Sequence, residues 1–236
     1  MPPKPSPRIY FNLRSPYSWL TLHDLTTHHP DMTRILDWRP FWDPSPELEA
    51  LLTAIGGRFI YTPMSREKHF YVLRDIRRLA EERGLRVTWP IDRSPRWEVA
   101  HLAYFVAAAA GVGSEFAMAA SRARWEQGQN LSDPAVVAEI GAGIALEPDL
   151  LANAADDQAM AATGARALLD AYRDGVFGVP FFVHGREKFW GLDRLQAFVN
   201  SVRSEGTIET VDRTPDPDPE LVAMASTDDG HAGGCG

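Results

Sequence analysis

Cysteine is almost absent from this sequence: the chain of 236 residues has one, Cys235, next to its C-terminus. An internal disulfide is therefore excluded, and nothing points to an oxidising compartment. Long apolar runs are missing as well. The longest weakly polar stretch, residues 102–112, is too short to cross a membrane, and residues 1–7 are proline-rich rather than typical of a signal peptide. These features predict a cytoplasmic protein with no membrane partner.

Basic residues are fewer than acidic residues, 24 against 32. The net charge of −8 argues against a general role in nucleic-acid binding. Much of that acidity lies at the C-terminal end, where residues 212–236 carry six acids and one arginine. Residues 206–236 offer too little apolar surface to order themselves, so we expect a largely disordered acidic tail. The histidines lack the spacing of metal ligands, and no metal is expected.

The sequence does contain a strong helix-start signal, Ser-Pro-Tyr-Ser at residues 15–18. It follows a strand predicted over residues 8–12 and opens a helix predicted over residues 16–29. Ser15 is typical of an N-cap residue, and Pro16 of the first helical position. A hydroxyl placed there lies among unpaired backbone N–H groups, at the positive end of the helix dipole. Such a site can stabilise a thiolate, although Ser15 alone would also be explained as a simple cap.

A second group of secondary-structure signals lies over residues 179–204. Val179-Pro180 starts an apolar, β-prone run, and a proline is tolerated there because a first residue need not donate to the sheet. The bond between these two residues is a candidate for the cis form. Beyond it the pattern predicts strands over residues 180–183 and 187–190, and a last helix over residues 192–204.

Between these two groups of signals, the sequence pattern predicts mostly helices. A β-prone segment, residues 33–38, leads into a loop region after Pro44. Helices are predicted over residues 65–84, 96–110, 115–127, 134–142 and 148–174. This order, strand–helix–strand, helical block, then strand–strand–helix, is what a thioredoxin-like domain with a helical insertion requires.

Three motifs in order carry a resemblance to a known family. They are Tyr-Phe-x-x-x-Ser-Pro-Tyr-Ser at residues 10–18, Gly-Val-Pro at 178–180, and Phe-Trp-Gly-x-Asp-Arg at 189–194. Together they are similar to the kappa-class glutathione transferases and the related 2-hydroxychromene-2-carboxylate isomerases. That family belongs to the DsbA branch of the thioredoxin-like fold. The resemblance spans about residues 8–203.

The resemblance implies an α/β fold in two parts. Residues 8–60 and 176–205 would form a thioredoxin-like domain, and residues 61–175 a large all-helical insertion of the DsbA type. It also implies glutathione, or another low-molecular-weight thiol, as cofactor.

By resemblance, Ser15 is the catalytic residue that contacts the sulfur of the thiol. Thioredoxin-like oxidoreductases place the first cysteine of a Cys-x-x-Cys pair at this position. Here both cysteine positions are serines, Ser15 and Ser18, so dithiol chemistry is excluded while activation of a bound thiol is not. Ser18, one turn into the helix, is expected to face inward.

The remaining cofactor contacts are also carried over by resemblance. Val179, before Pro180, would pair its backbone with the cysteinyl part of glutathione. Backbone N–H groups at Leu192 and Asp193 would hold a carboxylate of the γ-glutamyl end, and the Asp193 side chain its ammonium group. Lys68, in Lys-x-x-Tyr-x-x-x-Asp, would meet a glutathione carboxylate. Taken singly, Val179-Pro180 would be explained as an ordinary strand start and Asp193 as an acid that interacts with the helix dipole. Lys68 would be explained as a solvated lysine on a helix.

The implied activity is isomerisation of a conjugated, aromatic small-molecule electrophile by reversible thiolate addition. One alternative is a glutathione transferase that forms a stable conjugate with the same kind of substrate. The other is a non-enzymatic thioredoxin-like module that binds a peptide or ligand. A homodimer is one assembly compatible with the resemblance.

Overall fold

A four-stranded sheet organises the computed structural model, which describes residues 6–60, 63–93 and 95–205. Its strands stand in the order β2-β1-β3-β4; β1 and β2 are parallel, and the other two pairs are antiparallel. The predicted tail, residues 206–236, lies outside the described residues. The strands are β1 (Arg8–Phe11), β2 (Asp37–Pro40), β3 (Phe181–His184) and β4 (Glu187–Trp190).

The described residues form ten α-helices and two three-residue 3-10 turns. Seven of the helices, α3 to α9, lie between β2 and β3 in the chain, and the last six of them, α4 to α9, form a helical block that interrupts the sheet, as expected. Among the described helices, none is long and apolar enough to cross a membrane. The helices are α1 (Pro16–His28), α2 (Met32–Ile35), α3 (Pro46–Ala54), α4 (Arg66–Glu82), α5 (Glu98–Ala109), α6 (Gly113–Trp125), α7 (Pro134–Gly143), α8 (Pro148–Ala152), α9 (Gln158–Arg173) and α10 (Leu195–Glu205), and the turns are Ala154–Asp156 and Leu192–Arg194.

The two central strands form the middle of the core. Ile9, Tyr10 and Phe11 of β1 are fully buried, and so is Phe182 of β3. Consecutive buried residues mean that both faces of these strands are covered, which explains why they read as continuous apolar runs. Each large apolar side chain buried in this way stabilises the fold by about 1.5–3 kcal/mol. The sheet is therefore a firm base for the loops that leave its ends.

Helix α1 is buried on two sides. Leu22 joins the core around β1, whereas Trp19 and Leu20 join a second cluster that includes Val72 and Ile76 of α4. This helix therefore links the sheet to the first helix of the helical block. Its N-terminus, which carries Ser15, is held from both sides.

The strand predicted over residues 33–38 is wrong in its first half. Residues 32–35 form the short helix α2, and β2 begins only at Asp37. Burial decides this outcome, because Met32 is fully buried while Ile35 is 48% exposed. The β-propensity of the exposed residues is overridden by the packing of the one buried residue.

Two other helix boundaries also differ from expectation. The loop predicted after Pro44 contains α3, whose N-cap Ser45 accepts a hydrogen bond from the Leu48 N–H at 3.3 Å. The single helix predicted over residues 148–174 is divided into α8, a 3-10 turn and α9. The division is stabilised by Asp157, whose Oδ1 accepts from the Ala159 N–H at 2.7 Å and caps α9. The predicted domain boundaries, 60/61 and 175/176, stay a prediction.

Candidate active site

The loops that carry the candidate residues leave the sheet at one edge. Tyr10, one residue before the end of β1, lies opposite Phe181 at the start of β3, and Phe181 lies opposite Trp190 at the end of β4. Because both pairs are antiparallel, the end of β1, the start of β3 and the end of β4 meet at the same edge. At this edge, residues 12–15 leave β1, residues 179–180 lead into β3, and residues 191–193 leave β4.

Ser15 caps α1, as its sequence predicts. Its backbone is extended, with φ −88° and ψ 119°, and its Oγ accepts a hydrogen bond from the Ser18 N–H at 3.2 Å. Ser18 is 1% exposed and faces inward, which confirms the expectation. Ser15 is only partly buried. The cap bond occupies a lone pair of the Ser15 Oγ and leaves its O–H free to donate to a ligand.

The first turn of α1 leaves one backbone donor beside that hydroxyl. Pro16 has no N–H, the Ser18 N–H is engaged by the cap, and the Trp19 N–H donates to the Ser15 carbonyl at 3.1 Å. Within the described residues, this leaves the Tyr17 N–H for a ligand. An anion next to Ser15 would meet two donors and the positive end of the helix dipole.

Asn12 organises the turn that leads to Ser15. Its carbonyl accepts from the Ser15 N–H at 2.9 Å, and its Oδ1 accepts from the Arg14 N–H at 2.8 Å. Its own N–H donates to the Ser18 Oγ at 3.2 Å. The Asn12 amide thus serves the shape of the loop.

Two side chains from the helical block hold the residue between Asn12 and Arg14. The Leu13 N–H donates to His101 Nε2 at 3.1 Å, and the Leu13 carbonyl accepts from Trp125 Nε1 at 3.1 Å. Sequence reasoning missed both: His101 reads as one of several scattered histidines and Trp125 as a core tryptophan. No local signal could have found them, because they lie 88 and 112 residues from Leu13.

His101 is a neutral imidazole at physiological pH. Its Nδ1 lies 2.7 Å from the Trp97 carbonyl, which can only accept, so Nδ1 carries the proton and Nε2 accepts from Leu13. Complete burial, with a smaller contribution from the Arg124 charge, lowers the pKa of His101 to about 4. The ring stacks on Trp42 with centroids 5.0 Å apart.

The Val179–Pro180 bond is cis, which confirms the expectation. Val179 is partly buried and lies just before β3, so its backbone groups are outside the strand ladder. The carbonyl of the buried Pro180 accepts from the Gly191 N–H at 3.0 Å. This bond holds the segment before β3 next to the segment after β4.

The Leu192–Asp193 segment forms a 3-10 turn, whereas the sequence predicts the start of a helix; α10 begins only at Leu195. Leu192 packs against the second cluster, beside Tyr17 and Trp19, which brings this turn to the side of α1. The Asp193 side chain is 73% exposed, and its carboxylate lies 3.6 Å from the Arg194 guanidinium. Its carboxylate is therefore open to a ligand.

Lys68 lies in the first turn of α4 and is partly buried. It precedes Val72 by one turn, on the stripe of α4 that packs against α1. Further along, the Tyr17 hydroxyl donates to Asp75 Oδ2 at 2.8 Å, which fixes α4 to the first turn of α1. Burial and this carboxylate raise the pKa of Tyr17 far above its ordinary value. The lysine of the predicted motif is thus held on the α1 side of the helix.

Arg14 adds a positive charge beside Ser15. Its guanidinium forms an ion pair with Asp43 at 2.6 Å and lies 5.3 Å from the centre of the Trp97 ring. Arg14 is 46% exposed and Asp43 30% exposed, so this pair is accessible from solvent.

A groove of about 1010 Å³ lies elsewhere, beside the outer edge of β2. Its lining includes Arg34, Arg166 and Asp170 but neither Ser15 nor Val179. It is therefore separate from the candidate active site. In the part of the chain that the structure describes, no group of three or more His, Cys, Asp or Glu side chains lies close enough to hold a metal ion.

Comparison with known proteins gives matches over almost all of the described chain. A family model of the DSBA-like thioredoxin domain matches residues 8–203. The chain is 27% identical over 195 residues to a 2-hydroxychromene-2-carboxylate isomerase from Sphingobium xenophagum, and the match covers 79% of this chain and 92% of the relative.

Solved structures with the same fold include an isomerase and a reductase. A 2-hydroxychromene-2-carboxylate isomerase superposes with a TM-score of 0.67 at 21% identity, covering 86% of this chain and 99% of that one. The cytosolic disulfide reductase DsbM from Pseudomonas aeruginosa, solved with GSH, gives a TM-score of 0.58 at 16% identity, covering 86% and 99%. These matches confirm the expected α/β, thioredoxin-like fold with its helical insertion.

Proposed function

Because this chain belongs to the family of DSBA-like thioredoxin domains, we propose that it is a thiol-dependent isomerase of a conjugated, aromatic substrate. Its cofactor would be glutathione or another low-molecular-weight thiol. The observation that carries the proposal is the Ser15 hydroxyl, which caps α1 with a lone pair and keeps its proton available at the helix start. The relative from Sphingobium xenophagum is itself named as an isomerase.

The residues at the sheet edge fit such a thiol. The sulfur would lie at Ser15, and the backbone of Val179 would pair with the cysteinyl part. The γ-glutamyl end would lie at Leu192 and Asp193, where the exposed carboxylate of Asp193 can meet an ammonium group. Lys68, on the α1 side of α4, would meet a carboxylate of the cofactor.

When bound, the thiol supplies a nucleophile that adds reversibly to a conjugated double bond, permits rotation about the resulting single bond and departs unchanged. A free thiol has a pKa of about 8.5 and is mostly protonated at neutral pH. The Ser15 O–H, the Tyr17 N–H and the dipole of α1 all favour the charged form of a sulfur at this position. The chain therefore lowers the thiol pKa and orients the sulfur.

An accessible aromatic surface lies at the segments that border β3 and β4. Phe177, which precedes β3, lies edge-on to Trp190 at the end of β4 with centroids 4.8 Å apart and is 48% exposed. Accessible aromatic surfaces of this kind bind flat, apolar substrates. We place the reaction in the cytoplasm, since a site built on serines needs no oxidising compartment.

Titration of the protein with glutathione, followed by the ultraviolet absorbance of the thiolate, tests this proposal. The bound thiol should have a lower pKa than free glutathione. A bound thiol whose pKa equals that of the free form would contradict the proposal and favour a non-enzymatic binding module. Consumption of one thiol per turnover would instead indicate a transferase.

Ser15→Ala provides the sharper test. Removing one preorganised donor costs about 2–4 kcal/mol of transition-state stabilisation, so turnover should fall at least about tenfold. Ser45→Ala is the matched control, because Ser45 also caps a helix in front of a proline. Each variant should lose about 1 kcal/mol of stability with its cap, but only Ser15→Ala should raise the pKa of the bound thiol. Equal activity in both variants would remove Ser15 from the site.

A further inference from the structure

The backbone of Leu13 is bound at both its N–H and its carbonyl by side chains of the helical block. Leu13 is 1% exposed, so neither group can turn to water instead. A buried backbone group left without a partner costs about 1–3 kcal/mol. The bonds to His101 on α5 and Trp125 on α6, both 3.1 Å long, therefore fix the position of Leu13.

The fixed residue lies two positions before Ser15. The other bonds of this turn, those among Asn12, Ser15 and Ser18, are local and would move together with it. The two bonds to Leu13 differ, because they tie the turn to helices outside it. They determine where the turn stands in relation to the rest of the molecule.

The two side chains are themselves held in place. His101 is fully buried, donates from Nδ1 to the Trp97 carbonyl and stacks on Trp42. The Trp125 ring is stacked on Trp19 of α1, with centroids 6.2 Å apart. Neither side chain can follow Leu13 if the turn shifts. The pair acts as a rigid clamp, which we call the Leu13 clamp.

We propose that His101 and Trp125 are positioning residues, which hold the turn before α1 so that the Ser15 hydroxyl and the Tyr17 N–H converge on the thiol sulfur. The proposal rests on the thiol-dependent function proposed above. It gives the helical block a part in the chemistry: the block sets the geometry of a site whose contacting residues lie mainly in the sheet domain. Loosening the clamp should weaken thiolate stabilisation before it weakens binding of the rest of the cofactor.

Trp125→Phe tests the clamp, because it removes the N–H donor and keeps an aromatic ring at this buried position. Trp89→Phe is its control: Trp89 lies edge-on to Trp125 in the same cluster, with centroids 5.7 Å apart, and the side-chain hydrogen bonds of Leu13 within the described residues go to His101 and Trp125 instead. For the other arm, His101→Leu removes the acceptor, and His101→Gln restores an acceptor oxygen near the position of Nε2. Rescue by glutamine separates a lost hydrogen bond from lost volume.

The first measurement is hydrogen exchange of the backbone amides of residues 13–18 in the protein without ligand. Exchange should accelerate at least about tenfold in Trp125→Phe and in His101→Leu, but not in Trp89→Phe, because only the clamp variants free the Leu13 backbone. His101→Gln should restore most of the protection. Equal exchange in Trp125→Phe and Trp89→Phe would overturn the clamp.

The second measurement is the pKa of glutathione bound to the same variants. Trp125→Phe should raise it by about one unit, which is about a tenfold smaller thiolate fraction near neutral pH, while glutathione affinity below that pKa, where the thiol is bound in its protonated form, stays close to wild type. A purely structural role would lower the melting temperature without moving the thiol pKa, and that result would overturn the proposal. A wild-type protein that leaves the thiol pKa unchanged would overturn the proposed function and the catalytic consequence of the clamp, whereas the exchange measurement judges the clamp itself.

Discussion

Acidification should destabilise this protein through His101, which is fully buried. His101 is neutral in the folded state, and burial lowers its pKa to about 4, against 6.5 when the chain is unfolded. As the pH falls from about 6.5 to about 4, the unfolded state takes up the proton first, so the folded state loses relative stability. At about 1.4 kcal/mol for each pKa unit, the full loss is about 3 kcal/mol.

The structural cause makes this loss specific. His101 Nε2 accepts a hydrogen bond from the Leu13 N–H at 3.1 Å. Once protonated, Nε2 would carry an N–H that faces the Leu13 N–H, and the ring would add a positive charge beside the buried Arg124. Carboxylates titrate over part of the same pH range, so the wild type alone cannot isolate the histidine. His101→Gln provides the reference, because it keeps an acceptor but does not titrate.

Urea unfolding of both proteins at several values between pH 7 and pH 4 measures the effect. The wild type should lose about 3 kcal/mol more than His101→Gln over this interval, with most of the difference arising below pH 6.5. Above pH 6.5, the difference in unfolding free energy between the two proteins should be constant. Parallel stability curves for the two proteins from pH 7 to pH 4 would refute the reasoning.

Two further predictions concern the ligand end of the site and the packing behind it. Asp193→Asn should weaken glutathione binding by about 5- to 150-fold, or about 1–3 kcal/mol, since it removes a charge facing the ammonium group. A thiol without the γ-glutamyl group should bind the wild type more weakly than glutathione by the same factor, but should bind the variant almost as well as glutathione does. If calorimetry shows that the two losses of affinity simply add, this contact is refuted. Gly164→Ala should cost about 1–3 kcal/mol because a Cβ there would lie 2.7 Å from Leu102 Cδ2 and 3.2 Å from the Trp42 ring. Gly143→Ala, where nothing lies within 4 Å, is its control, and equal melting temperatures for the two variants would show that α9 can adjust.

The parts of this fold that local chemistry decides were predictable from the sequence. Ser15 with Pro16 marks the start of α1, and Val179 with Pro180 marks a cis bond before β3. The alternation of apolar and turn residues gives the hairpin of β3 and β4. In each case the residues that determine the structure are neighbours in the chain.

The parts that depend on distant partners were not predictable. Nothing near Met32 shows that its burial will force residues 32–35 into a helix, in place of the predicted strand. In the same way, His101 and Trp125 have no sequence motif, because their partner is a backbone group that any residue would offer. That Ser15, Lys68, Val179 and Asp193 form a common binding site stays a prediction.

The order of the strands has a consequence for the synthesis of this protein on the ribosome. β1 receives its parallel neighbour, β2, within a short stretch of chain, but its antiparallel neighbour begins only at residue 181. At about 5–20 residues per second, translation needs on the order of 10–30 s to supply that second partner. During this time a strand of buried apolar residues has an open edge, which other nascent chains can pair with. The C-terminal hairpin therefore completes the sheet late in synthesis, and a chain that ends before it cannot close that edge.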